Sequence, residues 1–254
     1  MWGLGDYAEL SEALRPAAEA LADACAVSAG QEVLDVAAGD GNFAIACARE
    51  GASVVASDLS PGMVERGRAR AEREGYDIEW VEADVEALPF EDGRFDCVGS
   101  VFGAMIAPRP RVVAEELFRV VRRGGTGGMT AWTPNGFSAE LFKLGRSYAP
   151  PSGDQPLADE WSVEDNVRER FDGLAARFEL EVRPLTWRFD SPEEMVSALG
   201  TSAPPWVAAK MNLPSERWES LTTEARELAE RWAGDARPIE FENEYTLIVA
   251  RKRG

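Results

Sequence analysis

Residues 33–44, VLDVAAGDGNFA, constrain the fold more than any other stretch of the chain. An apolar run delivers Asp35, a turn containing Gly39 and Gly41 reverses the chain, and small residues then open a helix. In such a turn the backbone must come close to a ligand. The alternation repeats downstream. Residues 53–57 read as a second strand, Ser60 as an N-cap ahead of Pro61, and the helix that follows runs to Gly75. Residues 78–83 and 95–101 are the third and fourth strands. A helix over 111–123 faces the core with Val113, Leu117 and Val120, is stopped by Gly124 and Gly125, and leads to a fifth strand over 126–132. Strand and helix alternating at this spacing predict an α/β chain, a doubly wound and mostly parallel sheet with helices on both faces. Ligands of such sheets sit beyond the carboxyl ends of the strands.

Outside this core the pattern changes. Leu10, Leu14, Leu21 and Cys25 mark an amphipathic helix within residues 1–29. After Pro134 the regularity breaks into a loop over 135–166 that includes YAPPSGDQP, followed by a helix-like run over 165–177. Residues 178–189 alternate as a strand and 191–199 form a short helix. A longer helix carries Trp218, Leu221, Ala225, Leu228 and Trp232, and 241–251 close the chain as a strand.

Charge and composition exclude several functions. The 254 residues hold 45 Asp plus Glu against 27 Lys plus Arg, a formal charge of −18, and no histidine. A field of that sign opposes the phosphate neutralisation on which nucleic-acid binding depends. Without histidine there is no Ser-His-Asp or Cys-His nucleophile, no His-ligated metal and no imidazole base. The start of the chain lacks a basic segment followed by an apolar run, and no stretch is apolar enough for a membrane span, so a cytoplasmic protein is expected. Cys25, Cys47 and Cys97 lie far apart among apolar neighbours and read as buried free thiols.

Gly39, Gly41 and Ala44 fit a dinucleotide fingerprint, with Asp58 ending the second strand, so an NAD(P)-dependent oxidoreductase is one reading. Asp35 before the turn and Asp84 at the end of the third strand favour another. With VLDVAAGDGNF, VVASDLSPGMV, VEADVEALPFEDGRFDCV and VVRRGGTGGMTAW, residues 30–135 resemble the class I S-adenosylmethionine-dependent methyltransferases. The LPF at Leu88–Phe90, the FDCV that follows and the helix AEELFRVVRRGG are most like the branch of the ubiquinone and menaquinone C-methyltransferases.

The resemblance implies a seven-stranded Rossmann-like sheet in a single methyltransferase domain over 1–254. Residues 178–190 and 238–254 would be its antiparallel sixth and seventh strands, and 136–177 and 191–237 would be insertions forming a helical lid and acceptor pocket. It also implies S-adenosylmethionine as cofactor, leaving as S-adenosylhomocysteine. The methionine part would lie on the turn from Asp35 through Ala37 and Gly39 to Gly41, and Asp58 would bind the ribose hydroxyls. Leu59 and Met63 would pack on the adenine, Asp84 and Val85 would hold its amino group, and Ser100 and Phe102 would approach the sulfonium. The family's first glycine is Ala37 here, a substitution tolerated at negative φ. By themselves, Asp58 also reads as a helix-capping residue, Asp84 as a turn residue and Asp35 as a partner for loop amides.

Absences narrow the acceptor. GSVFGAMIAP past the fourth strand has neither Asn-Pro-Pro-Tyr nor Asp-Pro-Pro-Tyr, so base methylation is not expected. Ser100 stands where metal-dependent relatives cluster carboxylates, so no metal is expected either. The expected reaction is methyl transfer to carbon, oxygen or nitrogen of a small apolar or aromatic molecule, with alignment supplying much of the rate. Tyr7 is the preferred catalytic candidate; Trp2, Met105, Ile106, Trp132, Phe137, Trp161 and Trp206 are candidate acceptor contacts. A cofactor-binding protein that methylates nothing, or a cyclase, is a further alternative.

Overall fold

Parallel strands buried on both faces need nearly continuous apolar runs. Val33, Leu34 and Val36 of β1 (Glu32–Val36) and Val54, Val55 and Ala56 of β2 (Ser53–Asp58) supply them, and all are buried. The computed structural model describes residues 8–148 and 157–254. Helix α1 (Ala8–Ala24) precedes β1, and α2 (Asn42–Arg49) links β1 to β2. The chain continues through α3 (Pro61–Glu74), β3 (Ile78–Glu82), β4 (Phe95–Val101), α4 (Pro110–Val120) and β5 (Val121–Trp132). Helices α5 (Gly136–Tyr148) and α6 (Glu164–Arg170) lead to β6 (Ala175–Phe189). Helices α7 (Pro192–Ser202), α8 (Pro204–Asn212) and α9 (Ser215–Ala233) lead to β7 (Ile239–Lys252).

The seven strands form one sheet in the order β3-β2-β1-β4-β5-β7-β6. The first five are parallel, and β7 runs antiparallel to both β5 and β6. The chain builds outward from β1 to β3 and then returns to lay β4 on the other side of β1. This reversal leaves a crevice between the carboxyl ends of β1 and β4. Asp35 pairs with Ala56 in register, and side chains alternate along a strand, so Asp35 and Asp58 project from the same face. Because β6 ends and β7 begins at the carboxyl edge, the α7–α9 connection starts and finishes there, and α5 starts there too.

Glycines let the first two helices lie close to that face. A methyl at Gly99 would stand 2.2 Å from the Phe43 ring, and one at Gly128 would stand 2.5 Å from Cys25 Sγ. The three cysteines are free and buried. On the far side of the sheet Phe118 of α4 lies over Gly127. No described helix is long and apolar enough to cross a membrane.

Several boundaries differ from those the sequence suggests. The helix expected over 111–123 ends at Val120 and β5 begins at once, because Gly124 and Gly125 serve an irregularity in the β4–β5 pairing rather than a helix stop. Gly125 packs against the Asp96 carbonyl, where a methyl would come within 2.7 Å. The loop expected from 135 contains α5, whose Phe137 and Leu141 are buried one helical turn apart. The run over 165–177 is helical only to Arg170, since Gly173 takes φ +75° and Ala175 already pairs with β7. Helix α8, absent from the periodicity reading, starts at Pro204. In α9 the apolar stripe buries Leu221, Ala225 and Leu228 but leaves Trp232 46% exposed.

Gly67 on α3 tests this packing, since a methyl there would stand 1.9 Å from the Trp80 ring of β3. Glycine to alanine in an open helix stabilises by about 1 kcal/mol. Gly67→Ala is instead expected to destabilise by about 1–3 kcal/mol through overpacking. The readout is thermal denaturation, and an unchanged or raised Tm would contradict the close approach of Trp80.

Candidate functional site

The turn between β1 and α2 is a run of left-handed residues: Ala37 at φ +49°, Gly39 at +58° and Gly41 at +90°. Ala37 therefore does not meet the condition of negative φ under which an alanine is readily tolerated there. An L-residue held there costs about 1–2 kcal/mol, and neighbouring contacts fix the conformation. The Ala38 N–H donates to the Ser57 carbonyl at 2.9 Å, and the Gly41 N–H donates to the Ala38 carbonyl at 2.9 Å. Gly41 is needed twice, for its φ and because a methyl would come within 2.8 Å of the Trp80 ring.

Two carboxylates stitch this turn. Asp58 accepts the Gly39 N–H on Oδ2 and the Ser60 N–H on Oδ1, each at 2.9 Å, so it braces the first turn and the start of α3 together. Ser60 occupies the N-cap position, but its side chain makes no capping bond. Asp35 accepts the Ala44 N–H at 2.9 Å on Oδ2, while its buried Oδ1 has no partner among the described residues. Burial drives the Asp35 carboxyl well above the ordinary carboxylate range; the Ala44 N–H opposes that shift, and the charges of Asp58 and Asp40 add to it. Burial also raises Asp58, against the N–H groups of Ser60 and Gly39. Such a site favours a cation and disfavours an anion.

The remaining candidates ring the same edge. Leu59 is 59% exposed beside Asp58, whereas Met63 is buried in the first turn of α3. Asp84 is exposed and accepts the Glu86 N–H at 2.9 Å, folding the loop after β3, with Val85 buried next to it. Ser100 is fully buried, and its hydroxyl accepts the Ala104 N–H at 2.9 Å to close a short turn. Phe102 takes φ +56° and donates its N–H to Thr130 Oγ1 at 3.0 Å. Its ring stacks on Trp132 with centroids 4.2 Å apart and meets Tyr245 edge-on at 5.6 Å. A methyl on Gly103 would lie 2.2 Å from the Ala37 carbonyl oxygen. The strained ends of β1 and β4, Ala37 and Phe102, thus meet across Gly103 at the crevice.

Not all expected acceptor contacts gather there. Phe137 stacks on Phe241 at 3.7 Å in the core, and Trp161 is buried under Arg170, with the guanidinium 4.5 Å from its ring. Trp206 is buried against Trp218. Met105 is buried, Ile106 is exposed, and Trp132 lies in the aromatic cluster. Tyr7 and Trp2 lie outside the described residues.

Two polar clusters at the site go beyond the sequence expectation. Asp40 and Asn42 of the glycine turn bond to Ser11 of α1 and to Arg70 of α3. Glu86 accepts the Arg109 N–H at 2.6 Å and its Nε at 2.7 Å, tying the loop after β3 to the start of α4. A charged residue between two turn glycines is the one signal the sequence offers for the first cluster. The partners are 31 and 28 residues from Asn42, and no periodicity links them.

A family model described as a methyltransferase domain matches residues 33–125. An uncharacterized protein of Mycobacterium tuberculosis (strain ATCC 25618 / H37Rv) is 38% identical over 258 residues, covering 99% of this chain and 93% of that protein. A demethylmenaquinone methyltransferase of Clavibacter sepedonicus is 45% identical over 102 residues, covering 40% of this chain and 41% of that one. Among solved structures, a Bacillus halodurans C-125 protein assigned to the methyltransferases superposes with a TM-score of 0.64 at 26% identity, covering 93% of this chain and 99% of that one. The chain belongs to the class I S-adenosylmethionine-dependent methyltransferases.

The raised carboxyls make a pH prediction. With folded-state values above those of the unfolded chain, Asp35 and Asp58 retain protons that the unfolded chain has released. Their contribution is complete below about pH 4 and is lost as pH rises through the folded values. Asp35→Asn keeps an acceptor for Ala44 and removes its share, up to about 1.4 kcal/mol per pH unit across that window. Its stability in urea should fall less steeply than the parent's from pH 4 upward, and parallel profiles would count against the shift.

Proposed function

We propose that the protein transfers the methyl group of S-adenosylmethionine to a small acceptor, as an enzyme of EC 2.1.1 type, and releases S-adenosylhomocysteine. The observation that carries this reading is the glycine turn with two buried, raised carboxyls, Asp35 and Asp58, at the crevice where β1 and β4 diverge. The residues present suit that cofactor: the buried, unpartnered Asp35 Oδ1 offers an acceptor toward an ammonium or sulfonium charge. A dinucleotide would instead bring pyrophosphate against Asp35, Asp40 and Asp58, which argues against the NAD(P) alternative.

In this reading the turn Asp35–Ala37–Gly39–Gly41 receives the methionine part. Asp58 directs its remaining lone pairs to the ribose hydroxyls while its N–H bonds hold it in plane. Exposed Leu59 and buried Met63 border the adenine, Asp84 and Val85 meet its amino group, and Ser100 shapes the turn that presents Phe102 to the reacting end. When bound, the cofactor supplies a methyl group already activated on a sulfonium. The chain's share is to align the acceptor, exclude water and shield the developing charge.

The acceptor is taken to be small and apolar or aromatic, matched by Phe102, Met105 and Trp132 past β4 and β5. Tyr7 remains the catalytic candidate, through contact with the acceptor. The chain works as one domain, with 30–135 as cofactor core and with 136–177 and 191–237 as the lid. The positions of α5 and α7–α9 at the carboxyl edge support that assignment.

Calorimetric titration with S-adenosylmethionine, S-adenosylhomocysteine and NADPH tests the reading. The two adenosyl compounds should bind with micromolar Kd and NADPH should be silent. Asp58→Ala should weaken both adenosyl compounds by about 10- to 100-fold for two lost ribose bonds. Binding of NADPH alone would overturn the assignment. Tight adenosyl binding with no S-adenosylhomocysteine formed from a panel of quinols, phenols and amines would favour a non-methylating binder.

A further inference from the structure

The polar cluster behind the glycine turn gathers groups from three separate elements on one guanidinium nitrogen. Arg70 Nη1 of α3 lies 3.0 Å from Asp40 Oδ2, 2.9 Å from Asn42 Oδ1 and 3.0 Å from Ser11 Oγ. Ser11 donates its hydroxyl to Asp40 Oδ1 at 2.6 Å and accepts Asn42 Nδ2 on its carbonyl at 2.7 Å. Ser11, Asp40 and Asn42 are all buried, and the side chains of Arg70 and Asp40 are each only 13% exposed. On its solvent side Arg70 Nε donates to Glu74 at 2.9 Å.

The placement gives this cluster more than a bracing role. Asp40 stands between Gly39 and Gly41, so its side chain fixes the backbone whose N–H groups and left-handed bends form the cradle. Its charge already reaches Asp35 through the turn. Arg70 is the cation paired with Asp40, and it therefore sets both the shape of the cradle and how much negative charge the cradle shows to a ligand.

We propose that Arg70 is a positioning residue for the cofactor, acting through Asp40 and Asn42 on the glycine turn, with Ser11 extending the same control into α1. The inference rests on the reading that this turn binds S-adenosylmethionine. It goes beyond that reading in predicting that Arg70 tunes discrimination between the cationic cofactor and its neutral product. Loss of Arg70 loosens the cradle for both ligands. It also leaves Asp40 without its cation, and the extra negative charge compensates only the ligand that carries a sulfonium.

The test is calorimetric affinity for S-adenosylmethionine and S-adenosylhomocysteine, with Tm measured alongside. Arg70→Met should weaken S-adenosylhomocysteine about tenfold and S-adenosylmethionine clearly less, shifting the ratio of the two Kd values toward the cofactor. Asp40→Asn keeps an acceptor for Ser11 and removes the charge. In that background Arg70→Met should weaken both ligands equally and leave the ratio unmoved. Arg70→Lys preserves the charge but not the shared contacts, and it should keep the parental ratio with reduced affinity for both. That variant carries the test if Arg70→Met fails to fold. Glu74→Gln, on the solvent side, should leave both affinities unchanged. A lowered Tm with both affinities and their ratio intact would overturn the proposal and make Arg70 a brace between helices. A parent protein that binds neither ligand would instead overturn the functional reading on which the proposal stands.

Discussion

The segment from Val36 to Asn42 leaves a buried strand and enters a buried helix without the hydrogen-bond ladder of either, and its N–H groups still need acceptors. Two carboxylates and a strand carbonyl provide acceptors for this segment and for the helix start that follows it. Asp58 takes the Gly39 N–H, Asp35 takes the Ala44 N–H in the first turn of α2, and the Ser57 carbonyl takes the Ala38 N–H. This satisfaction of a strained turn by acids from two adjacent strands is the constraint on which the site depends. It requires β1 and β2 to pair in the register that sets Asp35 and Asp58 on one face. It also requires Trp80 to close against Gly41 and Gly67 behind them.

The same arrangement explains the electrostatics. Three acids converge on one turn, Asp40 alone of them has a cationic partner among the described residues, and burial drives the Asp35 and Asp58 carboxyls upward. A pocket in that state gains from a positive ligand such as a sulfonium amino acid, whereas a dinucleotide would set its anionic pyrophosphate against the turn. Across the crevice the wall is aromatic, with Phe102, Trp132 and Tyr245 in contact. One side of the site is therefore lined by charge and the other by apolar surface. Backbone strain lies where these walls meet, at Ala37 and Phe102 across Gly103.

How far this was legible in the sequence differs by region. Residues 30–135 announced their strands and helices because parallel strands buried on both faces must be apolar and their turns need glycine. Asp35, Asp58 and Asp84 could be picked out as acids at strand ends. The insertions are less readable: α5 runs straight into a Pro-rich stretch that makes the whole segment read as loop, α8 carries no clear amphipathic period, and Gly124 and Gly125 resemble a helix stop when they serve a strand irregularity. Phe137 and Trp161 illustrate the limit for site residues. As aromatics in inserted segments they fit an acceptor pocket, and only packing reveals that each is fully enclosed in the core.

What the sequence alone determined was the order of the strands and helices, the glycine turn, the family and the sign of the field, because these depend on local periodicity, local steric need and the sum of charges. What the tertiary structure decided was which distant groups share a site. Ser11, Asp40, Asn42 and Arg70 meet only because α1, the turn and α3 pack on the same face of the sheet. Ala37 holds a left-handed φ only because Ser57, Asp58 and Gly103 surround its turn. Propensities act over a few residues, whereas the free energy that places a half-buried cation beside a buried acid is defined only once the chain has folded them together.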